Sequence, residues 1–283
     1  MPGMLENRVA IVTGASRGIG AAIAIRFAAE GARVVITART LDESEKLPGS
    51  LRKTQDRIEA NGGECFPIVA DLGQPESRRT IVEGALAHFG RVDILVNNAA
   101  WARFGPTHLL VERHIRLALE VNTLAPLELA SAVAPGMIDR GEGWILDISS
   151  GTSDHPGPGP FDPADRYVQF HQHSGPTLYA ATKAATERLA TGMAAELAPH
   201  NIAVNTLAPV EGVASEGAVM AGDLSVDMTL EPVEAMAEAA LALCSRPASM
   251  LSGRRAVSLP LLEELGIPVH TLDGRQLLHT SAG

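Results

Sequence analysis

Residues 8–20 read RVAIVTGASRGIG, and this stretch decides the fold. Its first half, 8–14, is a short apolar run rich in β-branched residues, the pattern of a strand buried on both faces. Its second half turns on Gly14, Gly18 and Gly20, then opens into an apolar helical stretch, 19–31, that stops at Gly31. The alternation continues outward. Strands are expected over 33–38, 65–72, 92–100, 143–150, 201–209 and 255–260. Helices are expected over 51–63, 75–90, about 108–140, 177–199 and 231–245. Such alternation builds an α/β fold, a parallel sheet covered by helices on both faces. Three stretches break the rhythm: 39–50, the Pro- and Gly-rich 154–176, and 210–230, which reads as a mobile loop.

The 283 residues are 46% hydrophobic, enough for a sizeable core. A net charge of -10 argues against a general binder of nucleic acid or of anionic membranes. No run approaches ~18 consecutive apolar residues, so no membrane span is expected. The N-terminus carries no signal-peptide pattern, and Cys65 and Cys244 make no disulfide framework, so a cytoplasmic protein is expected. His155, His171 and His173 lack the cysteines or carboxylates of a metal site and read as loop histidines; no metal is expected. A serine-hydrolase reading fails, because neither Ser149 nor Ser150 has glycine two positions away on both sides.

The glycine turn lies between a strand and a helix, the context in which such a turn receives a dinucleotide pyrophosphate at a helix N-terminus. For NAD, an acid is expected at the end of the second strand, bonding the ribose 2′-OH. Here Ala38 and Arg39 stand there, with Arg17 inside the turn itself. Two guanidiniums suit a 2′-phosphate, so NADP(H) is favoured over NAD(H).

In the stretch TLYAATK, 177–183, Tyr179 and Lys183 are four apart on an expected helix and share one face. An ammonium ~4 Å from a phenol, at an effective dielectric of ~20, contributes about 4 kcal/mol. That is roughly three pKa units, enough to make the tyrosine an acid or base near neutral pH.

TGASRGIG, ADL at 70–72, NNAA at 97–100, Asn122, ISS at 148–150, YAATK at 179–183 and NTLAP at 205–209 stand in the order and spacing of the short-chain dehydrogenase/reductase family. The resemblance runs from about residue 6 to 260, and the chain looks closest to the hydroxysteroid dehydrogenase-like branch. It implies a single-domain Rossmann fold over 1–283, a doubly wound seven-stranded parallel sheet, and a homodimer or homotetramer. It implies an oxidoreductase interconverting a secondary alcohol and its ketone, and the loop residues Trp101, Phe104, Phe161, Tyr167, Phe170, Val213, Val219 and Met220 point to a small, partly apolar substrate. Tyr179 would be the general acid/base, Lys183 would lower its pKa and bind the nicotinamide ribose, and Ser150 would polarise the carbonyl. Asn122 would hold a water leading from Lys183 to solvent. Gly14, Ser16, Arg17, Gly18, Ile19 and Gly20 would wrap the phosphates. Arg39, Thr40, Asp71, Leu72, Asn98, Ala99, Ala100 and Pro209 would complete the cofactor site. The alternative is a catalytically silent NADP(H)-binding regulator or scaffold of the same fold.

The sequence departs from the family pattern at Ala100, at Val210-Glu211 after Pro209, and in the 29 positions separating Ser150 from Tyr179. The extra length is the 154–176 segment, expected to wall the substrate pocket or to form a subunit contact.

Overall fold

The structure, a computed structural model, describes residues 3–43, 49–213 and 230–278. The first strand, β1 (Val9–Thr13), is buried along its whole length. It pairs in parallel with β2 (Arg33–Ala38) on one side, Val9 opposite Arg33, and with β4 (Ile94–Asn97) on the other, Ala10 opposite Ile94. Adding β3 (Glu64–Val69), β5 (Gly143–Ile148), β6 (Ile202–Ala208) and β9 (Arg255–Val257) gives a seven-stranded parallel sheet in the order β3-β2-β1-β4-β5-β6-β9. A short pair, β7 (Gly212–Val213) with β8 (Leu230–Glu231), lies apart from it.

The pleat sends alternate residues to opposite faces, and both faces are covered. Ala10, Val12, Val34, Ile36 and Leu146 pack with α1 (Gly18–Ala29), α2 (Leu51–Ala60), α8 (Val233–Ser245) and α9 (Ser258–Leu265). Val9, Ile11, Val35, Leu95, Ile145 and Val204 pack with α3 (Pro75–Phe89), α5 (Ala125–Arg140) and α7 (Thr177–Leu197). Pro75 starts α3, where its missing N–H costs nothing, and left-handed Gly90 ends it.

The expected helix at 108–140 resolves into α4 (Glu112–Leu119), a π-helical turn (Glu120–Leu124) and α5. By length and composition this stretch could cross a bilayer. Within it, Ala125, Leu129, Val133 and Met137 are buried against the sheet and pack as part of the core.

Other boundaries also differ. The last strand stops at Val257 rather than 260, because the Ser258 side chain turns back to the buried Glu231 carboxylate (2.7 Å) and starts α9. The 154–176 segment is not wholly irregular. Asp165 accepts from Tyr167 N (2.8 Å) and Val168 N (3.0 Å), caps α6 (Arg166–Ser174), and left-handed Gly175 closes it. The 210–230 segment lies outside the described residues except for 210–213 and Leu230. Of the 261–283 tail, α9 runs to Leu265 and His270 bridges to Leu277, while 279–283 lie outside the described residues.

The first and eighth helices are joined by a buried ion pair. Arg26 Nε meets Glu238 Oε1 at 3.0 Å, while Arg26 Nη1 meets Glu30 at 2.6 Å. Removing the Glu238 carboxylate leaves Arg26 buried with half its partners. Glu238→Ala is expected to cost about 3 kcal/mol of unfolding free energy, read as a lowered urea midpoint at unchanged slope.

Candidate active site

Two clefts open at the carboxyl ends of the strands. The first, about 270 Å³, is lined by Gly14, Ser16, Arg17, Ala38, Arg39, Thr40, Asp71, Leu72, Asn98, Ala99 and Ala100. The glycine turn is sterically enforced. Gly14 has φ +67°, and a Cβ there would sit 2.8 Å from Ala99 Cα. A Cβ on Gly20 would sit 2.5 Å from Gly14 O. Asn98 fastens the turn: its Nδ2 donates to Thr13 O (2.9 Å) and Gly14 O (3.2 Å). Its side-chain amide is therefore engaged with the turn while the residue lines the cleft.

Gly18, Ile19 and Gly20 form the first turn of α1, which no side chain caps among the described residues. Arg17 Nη2 donates to Gly49 O at 3.3 Å. Arg17 Nε and Thr37 Oγ1, both on this cleft, are buried without a hydrogen-bond partner among the described residues. Arg39 stands exposed at the rim. Pro209, at the end of the β6 segment, lines neither cleft; its neighbours Val210 and Glu211 line the second.

That second cleft, about 630 Å³, begins at Ser150 and is walled by the extra segment through Asp154, His155, Tyr167 and Phe170. Phe170 meets Phe104 edge-on (6.0 Å), and Phe104 lies 5.7 Å from the Tyr179 ring. The expectation that 154–176 walls a pocket beside the serine therefore holds in the geometry.

The four central residues converge from three elements. Ser150 follows β5, Tyr179 and Lys183 share one face of α7, and Asn122 sits in the π turn. Ser149 is turned away, donating to Glu187 Oε1 at 2.6 Å. Ser150 Oγ accepts from Thr152 N (3.2 Å) and Thr152 Oγ1 (3.1 Å), which leaves its own proton to be donated into the cleft. Asn122 spends its side chain on Trp101 N (2.8 Å), Trp101 O (2.9 Å) and Thr182 Oγ1 (3.0 Å), rather than on Lys183.

In the chain alone, burial rather than Lys183 sets the direction of the Tyr179 shift. Lys183 Nζ donates to Ile148 O at 2.6 Å and lies 5.6 Å from the centre of the Tyr179 ring. Burial pushes the phenol up to about 12, and the Ser150 hydrogen bond pulls against it. Lys183 is itself buried, which presses its pKa down to about 8 against the pull of Asp147 and Glu187. Asp147 is raised to about 6 by burial, while Asn97 Nδ2 (2.8 Å) and Lys183 favour its ionised form.

Sequence reasoning missed Asp147 and Glu187 as partners of the site, while Tyr167 and Phe170, expected among the pocket residues, do line the second cleft. Glu187 stands four positions after Lys183, so helical spacing could have placed it on the same face.

The comparisons follow this geometry. A family profile described as short chain dehydrogenase matches residues 8–161 and 169–217. The chain belongs to this family. Its fold and branch agree with the resemblance drawn from the motifs. The match breaks between 161 and 169, over the approach to α6 and its first residues, and resumes through the rest of that helix.

Hydroxysteroid dehydrogenase-like protein 2 of Danio rerio is 32% identical over 265 residues, and that of Homo sapiens 31%. The match takes in 94% of this chain but spans only 60% of the length of either relative. Among solved structures, a metagenomic short-chain oxidoreductase in complex with NADP is 32% identical, covering 90% of this chain and 97% of its own, at a TM-score of 0.71. A 3-oxoacyl (acyl-carrier-protein) reductase of Agrobacterium tumefaciens with NADP bound is 31% identical, covering 89% and 93%, at 0.74. A 7α-hydroxysteroid dehydrogenase complexed with NADH and a 7-oxo bile acid conjugate is 29% identical, covering 90% and 94%, at 0.75.

The depressed lysine gives a test of sign. Lys183 falls from the usual 10.5 to about 8 in the folded chain, so between these values the unfolded chain binds more protons. Stability contributed by this residue must rise with pH across that window. The unfolding free energy of wild type relative to Lys183→Met is expected to climb by about 2–3 kcal/mol between pH 8 and 10. Urea unfolding at stepped pH measures it, and the comparison of the two proteins cancels the cysteines and tyrosines.

Proposed function

We propose that this protein is an NADP(H)-dependent reductase that interconverts a ketone and its secondary alcohol, with Tyr179 as the proton donor and acceptor. The observation that carries the reading is the convergence of Ser150, Tyr179 and Lys183 between the two clefts.

The first cleft fits a dinucleotide on the chain's own evidence. The cradle is closed to a Cβ at Gly14 and Gly20, and among the described residues no side chain caps the first turn of α1 and Arg17 Nε has no hydrogen-bond partner. Arg17 and Arg39 would hold the 2′-phosphate, while Asp71 and Leu72 would meet the adenine end. Thr40, Ala99 and Ala100 would line the rest, with Pro209 flanking the nicotinamide side. NADP bound in two solved relatives supports the choice.

When bound, the nicotinamide supplies the hydride chemistry. The chain's residues do the rest. Ser150 donates to the substrate carbonyl oxygen and stabilises the charge that develops there. Tyr179, held protonated by its surroundings, gives its phenolic proton to that oxygen in reduction and takes one back in oxidation. Lys183, with a pKa of about 8, can exchange a proton at neutral pH and replenish the tyrosine. A cleft of about 630 Å³ with Phe170 on its wall and Phe104 packed against that ring suits a partly apolar ketone larger than a simple one. Leu109, Val111, Ile115, Leu119 and Leu124 form an exposed apolar strip along α4 and its flanks, which supports a homodimer or homotetramer. We read the chain as one domain.

Two measurements test the reading. Tyr179→Phe is expected to lower ketone-dependent NADPH oxidation by ~10³-fold while NADPH binding, followed by fluorescence titration, stays within about 2-fold. A variant with undiminished turnover would end the assignment and leave the silent, cofactor-binding reading. Arg39→Ala is expected to weaken NADPH by ~10–100-fold and leave NADH binding unchanged. Equal weakening of both would remove the 2′-phosphate role from Arg39.

A further inference from the structure

A buried carboxylate outside the reacting group holds the active-site turn. Glu187 lies on α7, one helical turn past Lys183, and is 7% exposed. Its Oε1 accepts from Ser149 Oγ (2.6 Å) and Ser153 Oγ (2.8 Å), and its Oε2 from Arg255 Nε (2.7 Å). Ser149 and Ser153 bracket Ser150. The Ser153 hydroxyl, which has one proton to give, lies 2.8 Å from both Glu187 Oε1 and Ser150 O, and its backbone N donates to Ser150 O at 3.0 Å. Arg255, on β9, reaches past Glu187 to Asp154 Oδ1 at 2.9 Å. The turn between β5 and the extra segment is thus bound at Ser149, Ser153 and Asp154 by one acid and one base. That acid stands on the helix that carries Tyr179.

We propose that Glu187 is a positioning residue for the Ser150–Tyr179 pair: its carboxylate sets how far the serine hydroxyl stands from the phenol. The proposal rests on the reading of these two residues as the active pair. Among the described residues, α7 also reaches the end of β5 through Lys183 at Ile148 O, but Glu187 is the side chain that holds Ser149 and Ser153 on either side of Ser150. The Thr152 contacts to Ser150 Oγ are internal to the turn and would move with it.

The test uses the full chain and a signal that needs no turnover. The protein has two tyrosines, so tyrosine labelled with ¹³C at Cζ gives two resonances, and Tyr179→Phe identifies its own by loss. Ser150→Ala removes the hydrogen bond to the phenol and sets the reference shift. Glu187→Ala is expected to move the Tyr179 resonance in the same direction, by at least about half as far, with NADPH affinity within about 2-fold of wild type. A Tyr179 resonance unmoved in Glu187→Ala overturns the proposal.

Arg255 keeps Asp154 and half its surface in water, so Glu187→Ala strands no buried cation. Should that variant fail to fold, Ser153→Ala removes one arm of the same clamp and is expected to give a smaller shift of the same sign; no shift overturns the proposal equally. The kinetic arm uses an aryl ketone with NADPH. Glu187→Ala is expected to lower kcat by roughly 10-fold with little change in KM, and to cause no further loss in a Ser150→Ala background. Equal losses in both backgrounds would show that Glu187 does not act through Ser150. Absent turnover in the wild type would fail the redox reading by itself and leave the resonance shift to decide the role of Glu187.

Discussion

The contact on which the rest depends is between the end of β1 and the end of β4. Thr13 Oγ1 accepts from Asn98 N and Ala99 N, each at 3.0 Å, while the Asn98 amide reaches back to Thr13 O and Gly14 O. In the order β3-β2-β1-β4-β5-β6-β9, chain progression reverses direction between these two strands. Crossover helices leave to opposite faces there, so a crevice must open above the carboxyl ends. The lock fixes the depth of that crevice. It also brings Ala99 so close to the turn that only glycine fits at position 14. The steric demand on the glycines thus comes first from the protein's own backbone.

The second constraint is electrostatic. A lysine 4% exposed carries a desolvation cost that would ordinarily drive it neutral. Ile148 O, Asp147 beneath it and Glu187 one turn along α7 offset part of that cost. What results is an ammonium of intermediate acidity and a neighbouring phenol held protonated. A tyrosine in that state is prepared to act as an acid, the role that ketone reduction asks of it.

The parts legible in the sequence are those written by short-range rules. The β-branched run before Gly14, the i,i+4 spacing of Tyr179 and Lys183, and Pro75 and Gly90 at the ends of α3 each act within a few residues. The direction of the Tyr179 shift was not legible. Spacing shows that two side chains share a helix face but not that the Ile148 carbonyl, 35 positions away, will take the ammonium. The Glu187 clamp hides for the same reason, since its partners lie 34, 38 and 68 positions off. Helix α6 hides differently: its nine residues follow a Pro- and Gly-rich run, and so short a helix, about two and a half turns, needs the neighbouring turn to pack on.

That dependence runs in both directions. The Tyr167 hydroxyl sits among the carbonyl oxygens of Asp154 (2.7 Å), Thr152 (3.1 Å) and Gly151 (3.3 Å), so α6 is anchored on the turn that carries Ser150. Phe170, one turn along, then faces Phe104, and Phe104 faces Tyr179. The wall of the second cleft and the groups at its base are therefore one packed unit, with Tyr167 and Glu187 gripping the same turn from opposite sides. A segment added to a shared fold could have hung free over the pocket. Here it is built onto the catalytic turn, so a change in the wall that alters which ketone fits must also be felt at the serine.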